Sequence, residues 1–156
     1  MQKASQIALG VTLLALVGVT AAPAQSLQQG VGGPAVVRLA ERGDARAQTR
    51  LGFMLDTGRG APQNFVEAAY WYQRAAEQGD PDAQYLLGVC YNLGKGVPQD
   101  SVQAYNWFNL SASRTRAGQE REHRANMRDA MAFKLSRPAV AAAQSLAVAW
   151  RPKPER

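Results

Sequence analysis

Between residues 43 and 114 apolar side chains recur every three or four positions rather than every second one. Ala47, Leu51 and Leu55 lie four apart, as do Ala83, Leu87 and Tyr91, each set forming one stripe along a helix. A second, aromatic and alanine-rich stripe follows each of them: Ala68, Trp71, Tyr72, Ala75 and Ala76, then Ala104, Trp107, Phe108, Ser111 and Ala112. Alternation of apolar with polar residues is scarce, so strands have little support. The pattern predicts helices near 34–42, 44–57, 65–78, 81–93, 101–113, 118–134 and 138–150, an all-α chain.

The stripes repeat because the sequence does. Residues 43–78 align without a gap on residues 79–114, with 14 of 36 positions identical. The identities include Leu51-Gly52 with Leu87-Gly88, Gly58 and Gly60 with Gly94 and Gly96, Pro62-Gln63 with Pro98-Gln99, and Trp71 with Trp107. Each unit reads as two antiparallel helices joined by a tight loop. Asp44 and Asp80 suit the N-cap of the first helix, where a carboxylate accepts from free backbone amides, and Pro81 suits the first helical position. The Gly-x-Gly-x-Pro loop ends that helix, and Asn64 and Asp100 stand ready to cap the second. A glycine inside a helix costs about 1 kcal/mol against alanine, so Gly52 and Gly88 imply close backbone approach by a neighbouring helix. Helical hairpins do not bury their faces alone; they stack, and their ends need caps.

The strings AQ..LG, GRGAPQN, GKGVPQD and EAAYWYQRAAEQGD resemble the Sel1-like repeat family. That resemblance implies a short α-solenoid of the tetratricopeptide-like class with N-terminal and C-terminal capping helices. Val37 to Asp44 (VRLAERGD) resembles the end of a preceding second helix, and Leu135 to Trp150 resembles the closing helix of bacterial members, with Ser136 as its N-cap. The domain is expected over 34–150, with repeats at about 43–78 and 79–114, a C-terminal cap over 118–150 and a disordered tail over 151–156.

The first 24 residues change the picture of where the chain acts. Lys3, an apolar run from Ile7 to Val19 and Ala22-Pro23-Ala24 form the three parts of a secretory signal, with cleavage expected after Ala24 and a flexible linker over 25–33. The run is about 13 residues, short of the roughly 20 a spanning helix needs. The mature protein is therefore expected in the periplasm or outside the cell. Its one cysteine, Cys90, has no intramolecular partner and lies in an apolar helix, so it reads as core.

Without Lys3 the net charge is +5, and its location matters more than its size. Residues 25–113 hold 7 basic and 8 acidic side chains, whereas 114–156 hold 10 and 4. Export and the lack of a nucleic-acid-binding motif argue against a nucleic-acid partner. Arg121, Arg124 and Arg128 recur at three and four, forming a basic face suited to an acidic partner or anionic lipid.

Catalytic chemistry finds little to stand on. One histidine, His123, and one cysteine do not make a usual zinc site. There is no G-x-S-x-G elbow and no phosphate loop ending in Gly-Lys-Ser/Thr. Some secreted, cysteine-rich proteins of the resembled family have been linked with penicillin binding and β-lactam hydrolysis. They carry a cysteine pair in each repeat, and no serine here has lysine three residues on. Neither enzyme activity nor a cofactor is expected.

What remains is binding. Thr49, Phe53 and Asp56, with Tyr85, Val89 and Asn92, fall on one face of the first helices, off the shared stripe. In such solenoids the first helices line the concave surface, so this face is expected to anchor a peptide or protein. The competing reading is that Phe53 and Tyr85 pack between repeats. The resemblance implies an adaptor, exported relatives having been found regulating signalling systems or meeting host proteins, and a monomer is expected. A membrane-surface protein using its basic C-terminal helix is the alternative.

Overall fold

The computed structural model describes residues 33–155; the expected signal segment and almost all of the linker lie outside them. Among the described residues there are seven helices and no strand: α1 Gly33–Glu41, α2 Ala45–Thr57, α3 Phe65–Gln78, α4 Pro81–Leu93, α5 Ser101–Arg114, α6 Gln119–Ala132 and α7 Arg137–Ala149. The predicted boundaries hold to within about two residues. The predicted sixth helix runs longest past its observed end, because Lys134 and Leu135 donate to the Met131 and Ala132 carbonyls and tighten the last turn.

The caps are those the sequence supplies. The side chain of Asp44 accepts from the amide of Ala47 at 2.7 Å and that of Asp80 from the amides of Asp82 and Ala83 at 2.9 Å. Asn64, Asp100 and Ser136 start α3, α5 and α7 in the same way.

The hairpins α2–α3 and α4–α5 stack through α3 against α4, with α1 packed on α2 and both α6 and α7 on α5. One core cluster gathers Leu51, Leu55, Trp71, Tyr72, Leu87, Cys90, Trp107 and Leu110 from the repeats. A second, of Ala104, Tyr105, Phe108, Met131 and Ala143, joins α5 to the C-terminal cap. Burial pushes the Cys90 thiol up to about 11, which leaves it protonated and inert at neutral pH.

The repeat-identical residues are structural. Gln48 and Gln84, fully buried, donate to the carbonyls of Ala40 and Ala76 eight residues earlier and so tie each first helix to the end of the preceding second helix. Gln63 and Gln99 donate to the carbonyls of Asp56 and Asn92 near the ends of α2 and α4. The close approach of a neighbouring helix expected at the helix-interior glycines is made mainly by its side chains. A Cβ on Gly52 would lie 2.7 Å from Tyr72 ring atoms, and one on Gly88 2.8 Å from those of Phe108. The close neighbour is chiefly an aromatic ring, with the Ala68 carbonyl near Gly52, rather than backbone alone.

The expectation of a disordered tail is corrected. Trp150 to Glu155 runs as an extended strap over the helix ends: Trp150 and Pro152 meet Gly79, the Lys153 amide donates to the Glu77 carbonyl at 2.8 Å, and Glu155 reaches Gly43. Its carboxylate takes hydrogen bonds from Gln48 at 2.9 Å and from Arg74, so the segment is tied by specific polar contacts.

Candidate interaction surface

α2 and α4, held side by side by the stacked repeats, leave an open groove of about 530 Å³ between them. Arg46, Thr49, Arg50 and Phe53 line it from α2; Asp80, Asp82 and Leu86 line it from the start of α4. Phe53 is 45% exposed, and Leu86 beside it is half-buried. A large aromatic face thus stands open with guanidinium groups on one wall and carboxylates on the other. Burial pushes the Asp80 carboxyl above its usual range, against the lowering effect of the Ala83 amide it caps.

The six residues expected on one face do not stay together. Thr49 and Phe53 line the groove. Asp56 instead pairs with Lys95 at 2.6 Å, an ion pair between the first unit and the loop of the second. Tyr85 points to the C-terminal cap: its hydroxyl lies 2.9 Å from His123 Nε2, its ring 5.6 Å from that of Phe108. Val89 packs on the second core cluster, and Asn92 accepts from Lys134 at 3.2 Å. Packing between units therefore claims Tyr85, while Phe53 remains at the surface. The offset of 36 equates Thr49 with Tyr85 and Phe53 with Val89, yet α2 faces the open groove, whereas the equivalent positions of α4 turn toward the C-terminal cap.

The residues missed were Arg46, Arg50, Asp80, Asp82 and Leu86. The signal for them was present, since 46, 49, 50 and 53 follow the one-face spacing of a helix. Under the offset of 36 these positions fall on 82, 85, 86 and 89, and they are non-identical in every case.

The basic face is also corrected. Arg124 is 4% exposed and donates to the Pro81 carbonyl at 2.6 Å and Ser111 Oγ at 2.8 Å, with Asp82 and Glu120 on its other nitrogen. Cation and carbonyl so joined lock α6 onto the start of α4. Arg121 and Arg128 do share a surface hollow of about 300 Å³ with Asn109, Ser113 and Ala125, but Arg128 is paired with its neighbour Asp129. Three arginines on one helix face thus divide into a buried tie and two surface groups.

A stack of antiparallel helix pairs repeating every 36 residues, closed by helices at both ends, defines a short α-solenoid. Comparison with protein families identifies its unit: the Sel1 repeat matches residues 45–80 and 81–115, so this α-solenoid carries two Sel1 repeats. Among solved structures it is similar to c5321, a protective antigen present in uropathogenic Escherichia coli strains displaying an SLR fold. The identity is 31% over 74% of this chain and 24% of that one, with a TM-score of 0.68. It is also similar to a Sel1 repeat protein from Oxalobacter formigenes, with 38% identity over 57% of this chain and 65% of that one and a TM-score of 0.53. The chain thus spans about a quarter of the first relative's length and just under two thirds of the second's. No curated protein matches. Sel1 repeats are in general protein–protein interaction modules.

Proposed function

We propose that this chain is an exported, non-enzymatic adaptor that binds a segment of another protein in the groove between α2 and α4. The observation that carries the reading is Phe53, a large aromatic left 45% exposed in a groove of mixed charge. Interface anchors are typically aromatics or arginines in a pocket, ringed by polar groups, and Arg46 and Arg50 on one side with Asp80 and Asp82 on the other meet that description. Two charge signs on facing walls favour a partner segment that itself carries both, with an apolar residue for Phe53 and Leu86. The division of labour between repeat positions supports this: the identical residues build the hairpins, and the groove is lined mainly by positions that differ. The three-part pattern of the first 24 residues supports export to the periplasm or out of the cell as part of this reading.

Affinity capture from the native envelope with the signal-cleaved protein tests the reading. Phe53→Ala is expected to lose the captured partner while the variant stays folded. Retention of the same partner by a folded Phe53→Ala protein would overturn the groove assignment, and salt-sensitive binding to anionic liposomes in place of a protein partner would move the function to the arginines of α6.

A further inference from the structure

The strap crosses three equivalent places. Gly43, Gly79 and Thr115 are separated by 36 residues and follow the ends of α1, α3 and α5, the second helices of successive units. Trp150 lies under the Arg114 guanidinium, 4.3 Å from its ring centre, at the end of α5; Pro152 and Lys153 pass the end of α3; Glu155 closes on Gly43 after α1. Helix C-termini carry partial negative charge, so a segment with Arg151 and Lys153 suits this edge.

Its local chemistry suits it too. In Pro152-Lys153-Pro154 the prolines have no amide proton to satisfy and hold the backbone toward extended geometry, and the one remaining N–H is the one donated to the Glu77 carbonyl. The end is read by a prepared pair. Arg74 lies 4.9 Å from the centre of the Trp71 ring and 5.7 Å from that of Tyr70, so two aromatic rings flank the guanidinium that meets the carboxylate. Gln48, fully buried, is oriented by donating to the Ala40 carbonyl and by accepting from Gln78 at 2.8 Å. Both then converge on the Glu155 carboxylate, with Arg74 Nε at 2.9 Å.

We propose that this edge is a second peptide-binding site, distinct from the α2–α4 groove, that reads an extended Pro-x-Pro-Glu segment through Arg74, Gln48 and the Glu77 carbonyl, and that the chain's own residues 152–155 fill it in cis. Withdrawing the tail opens the site to the same pattern in trans. A tethered segment competes at an effective concentration of about a millimolar, so a free peptide of the same pattern whose own dissociation constant lies about tenfold below that binds the intact chain only at about millimolar strength, until the tail is weakened.

The test uses the full chain and a fluorescent peptide of sequence WRPKPER. Glu155→Ala is expected to bind it at least tenfold more tightly than wild type does. A Gln version of the peptide should lose that binding, and adding Arg74→Gln to the Glu155→Ala chain should abolish it. Equal affinity of wild type and Glu155→Ala, or binding indifferent to Arg74→Gln, would overturn the proposal. Hydrogen exchange on the unaltered chain gives an independent check: the Lys153 amide should be protected at least tenfold over its free-peptide rate, and exchange at that free rate would overturn the cis contact.

Discussion

Arg124 is the sharpest point at which the packing can be tested, because a surface residue and a structural tie respond oppositely to replacement. Arg124→Met keeps the apolar stem and removes the guanidinium. The variant loses two hydrogen bonds from a charged donor to buried acceptors, the Pro81 carbonyl and Ser111 Oγ. Bonds of that kind contribute about 1.5 kcal/mol each at the low end. The ion pairs add little, since the side chains of Asp82 and Glu120 are 64% and 67% exposed and pairs of that kind give at most about 1 kcal/mol. Two effects reduce the loss: the guanidinium no longer has to be desolvated, and Pro81 keeps the bond from Ser111 Oγ at 2.6 Å. The net is a destabilisation of about 2–3 kcal/mol, or about 8–12 °C in melting temperature for a domain of this size. Thermal melts followed by circular dichroism measure it. Added salt should leave most of the difference in place, because the carbonyl and hydroxyl acceptors are not screened. Hydrogen exchange should rise first in α6 and α7, as expected when a repeat array loosens at one end. A variant melting within about 2 °C of wild type would refute the tie and return Arg124 to the surface.

Phe53→Ala is expected to change stability by less than about 1 kcal/mol, whereas Tyr85→Ala, which empties the contact with Phe108 and His123, should cost about 2–3 kcal/mol; urea titrations separate the two, and equal losses would contradict their different placement. Gly88→Ala gains about 1 kcal/mol of helix propensity but forces a Cβ into the Phe108 ring, an overpacking cost of about 1–3 kcal/mol, so a net loss is expected. Gly52→Ala should lose more, because the Ala68 carbonyl lies 3.1 Å from the added carbon as well as the Tyr72 ring. The hydrogen bond from Arg74 holds the Glu155 carboxyl below its usual range, and Gln48 on α2 supports it. With a folded pKa depressed below the unfolded one, the strap's contribution is complete above about 4.3 and is lost as pH falls through the lower folded value. The Lys153 amide resonance should report that release on acidification, and a resonance unchanged to pH 2 would refute it. Native Cys90 should resist thiol reagents at pH 8 and react once the chain is unfolded; rapid labelling of the native state would contradict its burial.

The sequence by itself determined the helices, their caps and the hairpin repeat, because these depend on residues a few positions apart: Asp44 capping Ala47, Asp80 capping Ala83, the glycines that end each first helix. It also singled out Gln48, Gln63 and their partners by repetition, although not what they bond. The tertiary structure alone decided which faces are free. Phe53 and Val89 occupy the same place in the repeat, yet α2 opens onto a groove and α4 is covered by α6, a difference that no local spacing encodes. In the same way Arg121, Arg124 and Arg128 share a helical spacing, and only the approach of Pro81 and Ser111 from two other helices turns Arg124 inward. The strap shows the limit most plainly. A short stretch rich in proline and charge has no core of its own to bury, so its composition predicts disorder; it is held because the folded edge presents Arg74, Gln48 and a free helix-end carbonyl at the spacing an extended chain requires.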